Sequence, residues 1–234
     1  MTERTPRIAI LGMGRMGREV EALALERGMD VVARLDERET ADRAGALAAL
    51  AEADVAVEFT TPAAAVANIE LCLEARVPVV VGTTGWYAEL DAVRARVREY
   101  GGALLHAPNF SVGVALLRAL AARAAELLRG VEGFDVHVLD LHHAAKKDAP
   151  SGTALLLRDA LAPSGRAVGV TSVRTGHMPG RHEVCIDGAY EQVLLSHEAR
   201  SRRVFADGAL TAALWLRGRQ GVFTMDDVLG MEGP

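Results

Sequence analysis

The chain has 234 residues, enough for one large domain or two modest ones, each with a real core. Half of them are hydrophobic and 24% are charged, and the formal net charge of −5 offers no general attraction for nucleic acid or acidic membranes. Cys72 and Cys185 lie far apart without metal-ligand spacing, which argues against a disulfide scaffold and suits a reducing compartment. The polar stretch from Met1 to Arg7 runs straight into a strand-like segment and does not read as a signal peptide. No apolar run reaches about 18 residues, so the expectation is a soluble, cytoplasmic chain that spans no membrane.

Short β-branched runs alternate with amphipathic Ala/Leu/Arg-rich stretches from Arg7 to about Leu105. Strands are expected at Arg7–Leu11, Met29–Leu35, Asp54–Phe59, Val77–Val81 and Ala103–Leu105. Helices are expected at Arg15–Arg27, Pro62–Ala75 and Tyr87–Tyr100, with Gly28 stopping the first and Pro62 opening the second. This alternation predicts α/β architecture: a Rossmann-type, doubly wound parallel sheet. After Pro108 the pattern changes. A long helix over Val112–Arg129 precedes a strand at Phe134–Leu141, a polar loop and a helix at Gly152–Ala162. Strands at Val168–Thr175, His182–Asp187 and Glu191–His197, joined by Gly-containing turns, imply a second α+β domain with a mixed sheet. Helical stretches at Ala209–Arg217 and Met225–Leu229 end the chain, and their return to the first domain would make that domain discontinuous.

Gly12-Met13-Gly14-Arg15-Met16-Gly17 is a GxGxxG between the first strand and the first helix. Gly12 permits the tight turn, Gly14 lets backbone approach a pyrophosphate, and Gly17 allows helix and strand to pack closely. The helix N-terminus then offers N–H groups and partial positive charge to phosphates. Met13 and Met16 read as packing residues. Asp36 ends the second strand about 20 positions on, where a carboxylate meets the adenosine ribose hydroxyls. Glu37 beside it would repel a 2′-phosphate, whereas Arg34 and Arg38 would attract one; the balance favours NADH over NADPH. Two further loops, Thr60-Thr61-Pro62 and Gly82-Thr83-Thr84-Gly85-Trp86, follow the third and fourth strands, where open α/β sheets bind ligands.

The densest chemistry lies between Asp140 and Ala154, where His142-His143, Lys146-Lys147 and Ser151-Gly152-Thr153 fall together. Pro150 and Gly152 break any continuous helix. Ser151 suits the N-cap of the next helix, leaving the N–H groups of Gly152 and Thr153 to meet an anion. Histidine is the side chain suited to proton exchange near neutrality. Metal binding fits poorly because adjacent histidines on an extended chain point apart, and Ser151 lacks the surroundings of a nucleophile elbow. The residues therefore predict an anion-binding, proton-transferring loop and no metal.

Taken with Gly14-Arg15-Met16-Gly17, Phe59-Thr60, Gly82-Thr83-Thr84-Gly85 and Ala107-Pro108-Asn109-Phe110-Ser111-Val112-Gly113-Val114, the stretch His142-His143-x-x-Lys146-x-Asp148-Ala149-Pro150-Ser151-Gly152-Thr153-Ala154 resembles the dihydrodipicolinate reductase family. Arg174-x-Gly176, Gly180-x-His182 and Arg202-x-x-Phe205-Ala206-x-Gly208-Ala209 extend the likeness, which runs from about residue 8 to 229. The resemblance implies a cofactor domain over 1–108 and 204–234, a substrate and oligomerisation domain over 109–203, a hinge between them, and a homotetramer. It implies NAD(P)H-dependent reduction of a cyclic imine dicarboxylate, 4-hydroxy-tetrahydrodipicolinate, in the diaminopimelate and lysine pathway. By position, His142 is the acid/base and Lys146 its charged partner, while His143, Lys146, Ser151, Gly152 and Thr153 hold the dicarboxylate. Gly12, Gly14, Arg15, Met16, Gly17, Asp36, Phe59, Thr60, Gly82, Thr83, Thr84 and Ala107 to Phe110 (with Pro108 and Asn109) would line the dinucleotide. The chain departs from the family's usual pattern at Asp140, where Glu is common, and at Ala115, where Asn is usual. Its glycine loop is one residue shorter than in many relatives, and Glu37 stands where some carry Arg. Alternative readings are another two-domain NAD(P)-dependent amino- or keto-acid dehydrogenase, or a non-catalytic NAD(H)-binding regulator; neither accounts for the histidine–lysine–serine stretch.

Overall fold

The computed structural model describes residues 4–231. It forms two compact units: one runs to Phe110 and resumes at Arg203, and the other spans Ser111–Arg202. Phe110 stays with the first unit because it is buried there, edge-on to Phe59 with ring centroids 6.0 Å apart. The sequence had suggested a crossing two residues earlier.

In the first unit six parallel strands form one sheet: β1 (Arg7–Leu11), β2 (Asp30–Leu35), β3 (Val55–Glu58), β4 (Val79–Val81), β5 (Ala103–His106) and β10 (Gly221–Phe223). Their order is β10-β5-β4-β3-β1-β2, so the winding reverses beside β1. Both faces are covered, which is why β1, β3 and β4 are almost continuously apolar. α1 (Arg15–Glu26) starts directly after the glycine loop and ends before Gly28, whose φ of +70° only glycine adopts readily. α4 (Pro62–Glu74) carries Pro62 at its first turn, and α5 (Leu90–Tyr100) follows a short 3-10 turn over Tyr87–Glu89.

Two stretches of this unit escaped the sequence pattern. Residues 37–50 form α2 (Glu37–Ala41) and α3 (Arg43–Leu50), separated by Asp42, whose carboxylate accepts from the Gly45 N–H at 3.2 Å. The returning helix α8 (Arg203–Leu216) begins six residues before the expected Ala209, and β10 had no strand signal. α8 buries small residues, among them Ala206, Gly208 and Ala209. A Cβ on Gly208 would lie 1.7 Å from the Phe110 carbonyl oxygen, so glycine allows the helix to sit against that backbone.

The second unit is a four-stranded mixed sheet ordered β7-β6-β8-β9. β6 (Phe134–His142) pairs parallel with β7 (Val168–Arg174) and antiparallel with β8 (Arg181–Gly188), which forms a hairpin with β9 (Gln192–Glu198). α6 (Val112–Leu127) and α7 (Gly152–Leu161) cover one face. Leu117, Ala121, Val136, Val138, Leu157, Leu161, Val184 and Ile186 close the core beneath them. The other face carries Leu139, Leu141, Val173 and Leu194, the last two substantially exposed. α9 (Met225–Val228) ends the described chain, and no helix among the described residues is long and apolar enough to cross a membrane.

The glycine loop gives a test of this packing. A Cβ on Gly17 would lie 1.9 Å from the Gly12 carbonyl oxygen, whereas one on Gly14 meets nothing within 4 Å. Gly17→Ala should cost about 1–3 kcal/mol in urea unfolding, the usual range for overpacking. Gly14→Ala should leave that unfolding near wild type while weakening dinucleotide binding. Equal stability for both variants would contradict the close contact.

Candidate functional site

The first unit gathers its marked residues at one edge. The glycine loop follows β1, Asp36 follows β2, Phe59-Thr60 follows β3, Gly82–Trp86 follows β4, and Ala107 to Phe110 follow β5. These are all C-terminal strand ends, beside the point where strand order reverses.

The loop is tied down by its neighbours. The Gly12 N–H donates to the Leu35 carbonyl at 2.7 Å, and Met13 N–H donates to Asp36 Oδ1 at 2.6 Å. Gly12 has φ +90°, and a Cβ there would lie 2.2 Å from the Phe59 carbonyl oxygen. Asp36 is exposed and starts α2, and its own N–H donates to Glu39 Oε2 at 3.0 Å. One carboxylate therefore already orders the turn that the sequence had matched to a phosphate site. Gly14 precedes α1, exposed and with open space beside it, so a ligand could approach the backbone there closely.

Further along the edge, buried groups brace exposed ones. Glu58 is completely buried, and its Oε1 accepts from the Thr60 N–H at 3.1 Å and from the Thr60 hydroxyl. Thr60 N–H also donates to Thr83 Oγ1 at 2.8 Å, and Trp86 Nε1 donates to the Thr83 carbonyl at 2.8 Å. Thr83 is thus a buried strut between two loops, while Thr84 beside it is exposed. Gly82 leaves room for the Phe59 ring, which a Cβ would approach to 2.0 Å.

In the second unit the chemistry centres on Asp140, fully buried near the end of β6. Its Oδ2 accepts Ser151 N–H at 2.9 Å, Ser172 Oγ at 3.0 Å and Arg174 Nη2 at 2.7 Å. Its Oδ1 accepts the Ser151 hydroxyl at 2.8 Å. Burial alone pushes this carboxyl up, but the bonds from Arg174, Ser151 and Ser172 together hold it well below the usual carboxylate range. His142 Nδ1 lies 2.9 Å from the same Oδ1, near enough for charge stabilisation but without an aligned hydrogen bond. Burial draws the His142 imidazole below its ordinary value; Asp140 opposes this, while Lys146 and Arg174 add to it.

The loop between β6 and α7 hangs from the same network. Arg174 donates to the Asp140 carbonyl at 3.0 Å and to the Asp148 carbonyl at 2.7 Å. Lys146 Nζ bridges both oxygens of Asp148 at 2.8 and 2.9 Å. Ser151 caps α7, accepting the Ala154 N–H at 3.2 Å, so the helix N-terminus with Gly152 and Thr153 starts where the loop ends. His143 is half-buried just beyond β6, and Gly152 is exposed with no neighbour at its Cβ position. The marked residues His142, His143, Lys146, Ser151, Gly152 and Thr153 therefore all belong to one strand end, loop and helix start.

Of the other members of the network, Ser172 was not singled out from the sequence, and Arg174 and His182 were marked only as part of the family likeness, with no role. Ser172 and Arg174 come from β7, and His182 from β8; Asp140 had been noted only as a departure from a pattern. His182 also carries a local signal, a polar residue at an inward position of a strand. Asp140, His142 and His182 place ligand-type atoms within 4.8 Å of one another. The Arg174 guanidinium and two serine hydroxyls already occupy the carboxylate, so the cluster reads as a hydrogen-bond network rather than a cation site.

Comparison with known proteins gives a consistent picture. The family description "Dihydrodipicolinate reductase, N-terminus" matches residues 6–110, and "Dihydrodipicolinate reductase, C-terminus" matches residues 113–229. The 4-hydroxy-tetrahydrodipicolinate reductase of Christiangramia forsetii is 35% identical, covering 95% of this chain and 97% of that protein. The protein of the same name from Thiobacillus denitrificans is 39% identical, covering 97% of this chain and 99% of its own. A dipicolinate-bound dihydrodipicolinate reductase from Paenisporosarcina sp. TG-14 shares the fold, with a TM-score of 0.78, 23% identity, and coverage of 94% of this chain and 97% of that one.

Burial of the imidazoles predicts a pH effect on stability. His106, His142, His182 and His197 are all drawn below the ordinary 6.5, chiefly by burial, His182 to about 4. Below pH 6.5 the unfolded chain binds more protons than the folded one, so stability is present above that value and lost as pH falls toward 4. The melting temperature should decline steadily between pH 6.5 and 4.5. A flat profile there would contradict the buried, neutral imidazoles.

Proposed function

Given that the chain belongs to the dihydrodipicolinate reductase family and reduces 4-hydroxy-tetrahydrodipicolinate with a nicotinamide cofactor, we propose that His142 supplies the proton and the His143-to-Thr153 loop holds the dicarboxylate. The observation that carries this reading is Asp140, one buried carboxylate that touches the proton-bearing imidazole and also fixes the cap of the anion-facing helix. The reaction belongs to the diaminopimelate and lysine pathway.

When bound, the cofactor supplies the hydride. The protein's part is positioning and electrostatics. Lys146, the N-terminus of α7 and the Ser151–Thr153 backbone offset the substrate's negative charge. His142 turns Nδ1 to Asp140, while Nε2 lies against Gly180, where a Cβ would come within 3.0 Å. Nε2 is then the nitrogen that delivers the proton. The imidazole is held below its ordinary value in the free protein, and arrival of a dianion raises it. Substrate binding is therefore coupled to proton uptake, and the acid forms where it is used.

The cofactor reading favours NADH. Asp36 and Glu37 are both exposed at the end of β2, and Arg34, which could neutralise a 2′-phosphate, is paired with Glu21. Association into a homotetramer is supported by the half-apolar open face of the second sheet, with Leu139, Leu141, Val173 and Leu194.

The reading is tested by absorbance at the reduced-nicotinamide band, with substrate generated in situ from pyruvate and aspartate semialdehyde. NADH should give the higher kcat/KM, and His142→Gln should lower kcat by about 10²-fold or more, as for loss of a general acid. For wild type, kcat/KM should fall with rising pH through a value below 6.5, and kcat should fall only at higher pH. A His142→Gln variant with wild-type kcat would remove the proton-donor role.

A further inference from the structure

We propose that His182 is a positioning residue for this reductase: a buried imidazole whose Nε2–H locks the Ser151 cap and the Asp140 carboxylate into one unit behind His142. The inference rests on the functional reading above and extends it to a residue that the reaction itself does not require.

The placement comes from sheet register. Asp140 on β6 stands opposite Ser172 on β7 and His182 on β8, and His182 in turn stands opposite His197 on β9. All four lie on the face covered by the helices, so a polar row crosses the sheet above an otherwise aliphatic core. Along β8 the inward positions are His182, Val184 and Ile186, all buried. An aliphatic residue would suit the first position as well as it suits the other two. Burying an imidazole there carries a desolvation cost unless its polar atoms are used.

One of those atoms is used, and the network dictates how. His182 Nε2 lies 3.1 Å from Ser151 Oγ and 3.4 Å from Asp140 Oδ1. The Ser151 hydroxyl has one proton, and Asp140 Oδ1, an ionised acceptor 2.8 Å away, takes it. The remaining lone pairs of Ser151 Oγ accept the Ala154 N–H and one more donor. His182 must therefore carry its proton on Nε2. Its own basicity is lowered to about 4, first by burial and then by the neighbouring His142, so the ring stays neutral through the working pH range. The His182 ring also stands edge-on to His142, with centroids 5.1 Å apart and planes at 70°. A single side chain thus fixes the helix cap that faces the substrate anion and supports the ring that carries the proton.

The test compares His182→Leu, which keeps bulk and removes the donor, with His182→Gln, whose amide N–H reaches the Nε2 position without titrating. Both are assayed beside wild type in the coupled reductase assay, with NADH affinity measured separately by fluorescence. His182→Leu should lose about 10- to 100-fold in kcat/KM for the dicarboxylate, as for a lost bond to a charged network, with NADH affinity unchanged. His182→Gln should recover to within about threefold of wild type, since the hydrogen bond is restored. If His182→Leu does not fold, His182→Asn, whose shorter amide falls short of Ser151, takes its place as the loss variant. Full activity in the loss variant overturns the proposal, as does a shift in melting temperature without a kinetic change. Gln as impaired as Leu also overturns it, because a titrating ring would then be required. Absence of turnover in wild type would instead strike at the reductase reading.

Discussion

The second unit is organised by a buried negative charge that cannot be left unpaired. Asp140 has no exposed surface, and a lone carboxylate at that depth would not remain ionised. Arg174, Ser151 and Ser172 supply donors from β7 and from the start of α7, so the charge is kept only if these two segments meet on β6. The same requirement draws in the loop between them, because Arg174 also holds the Asp148 carbonyl. What looks in sequence like an irregular polar loop is therefore closely specified at both ends.

From that constraint the chemistry follows. A carboxylate committed to Arg174 and the serines stabilises the neighbouring imidazole only partly, and burial holds His142 below its ordinary basicity. Such a group gains its proton when further negative charge arrives. In the function proposed above, an anionic substrate is both the ligand of the helix N-terminus and the trigger for the acid. The first unit uses a comparable device at its own edge. There Glu58 and Thr83, both buried, hold the loops after β3 and β4 by their backbone, and Asp36 holds the glycine loop. In each unit a buried or capping acid orders backbone, and exposed groups beside it are left to meet the ligand.

Much of this was legible beforehand where local rules act alone. The alternation of strands and helices, the stop at Gly28, the start at Pro62 and the cap at Ser151 all depend on neighbours in sequence, and the structure has them there. The misses have a common physical cause. α2 and α3 are short, and β10 is three residues whose strand character comes from pairing with β5. The early turns of α8 follow from Gly208 packing on the Phe110 backbone, a contact between residues distant in sequence. At the site, His142, Lys146 and Ser151 announce themselves by clustering. Ser172, Arg174 and His182 arrive through sheet register, which no local pattern encodes, and Asp140 gained meaning only when those partners were in place.

The most direct measurement is equilibrium unfolding of Asp140→Asn, paired with its turnover and its NADH affinity. Removing one partner of a buried pair typically costs about 3–5 kcal/mol. The account predicts a loss of that size from the second unit, near-complete loss of dicarboxylate reduction, and unaltered NADH affinity in the first. An Asn variant that unfolds within about 1 kcal/mol of wild type, below the cost of one unsatisfied buried charge, and still turns over would show that Asp140 does not organise the site.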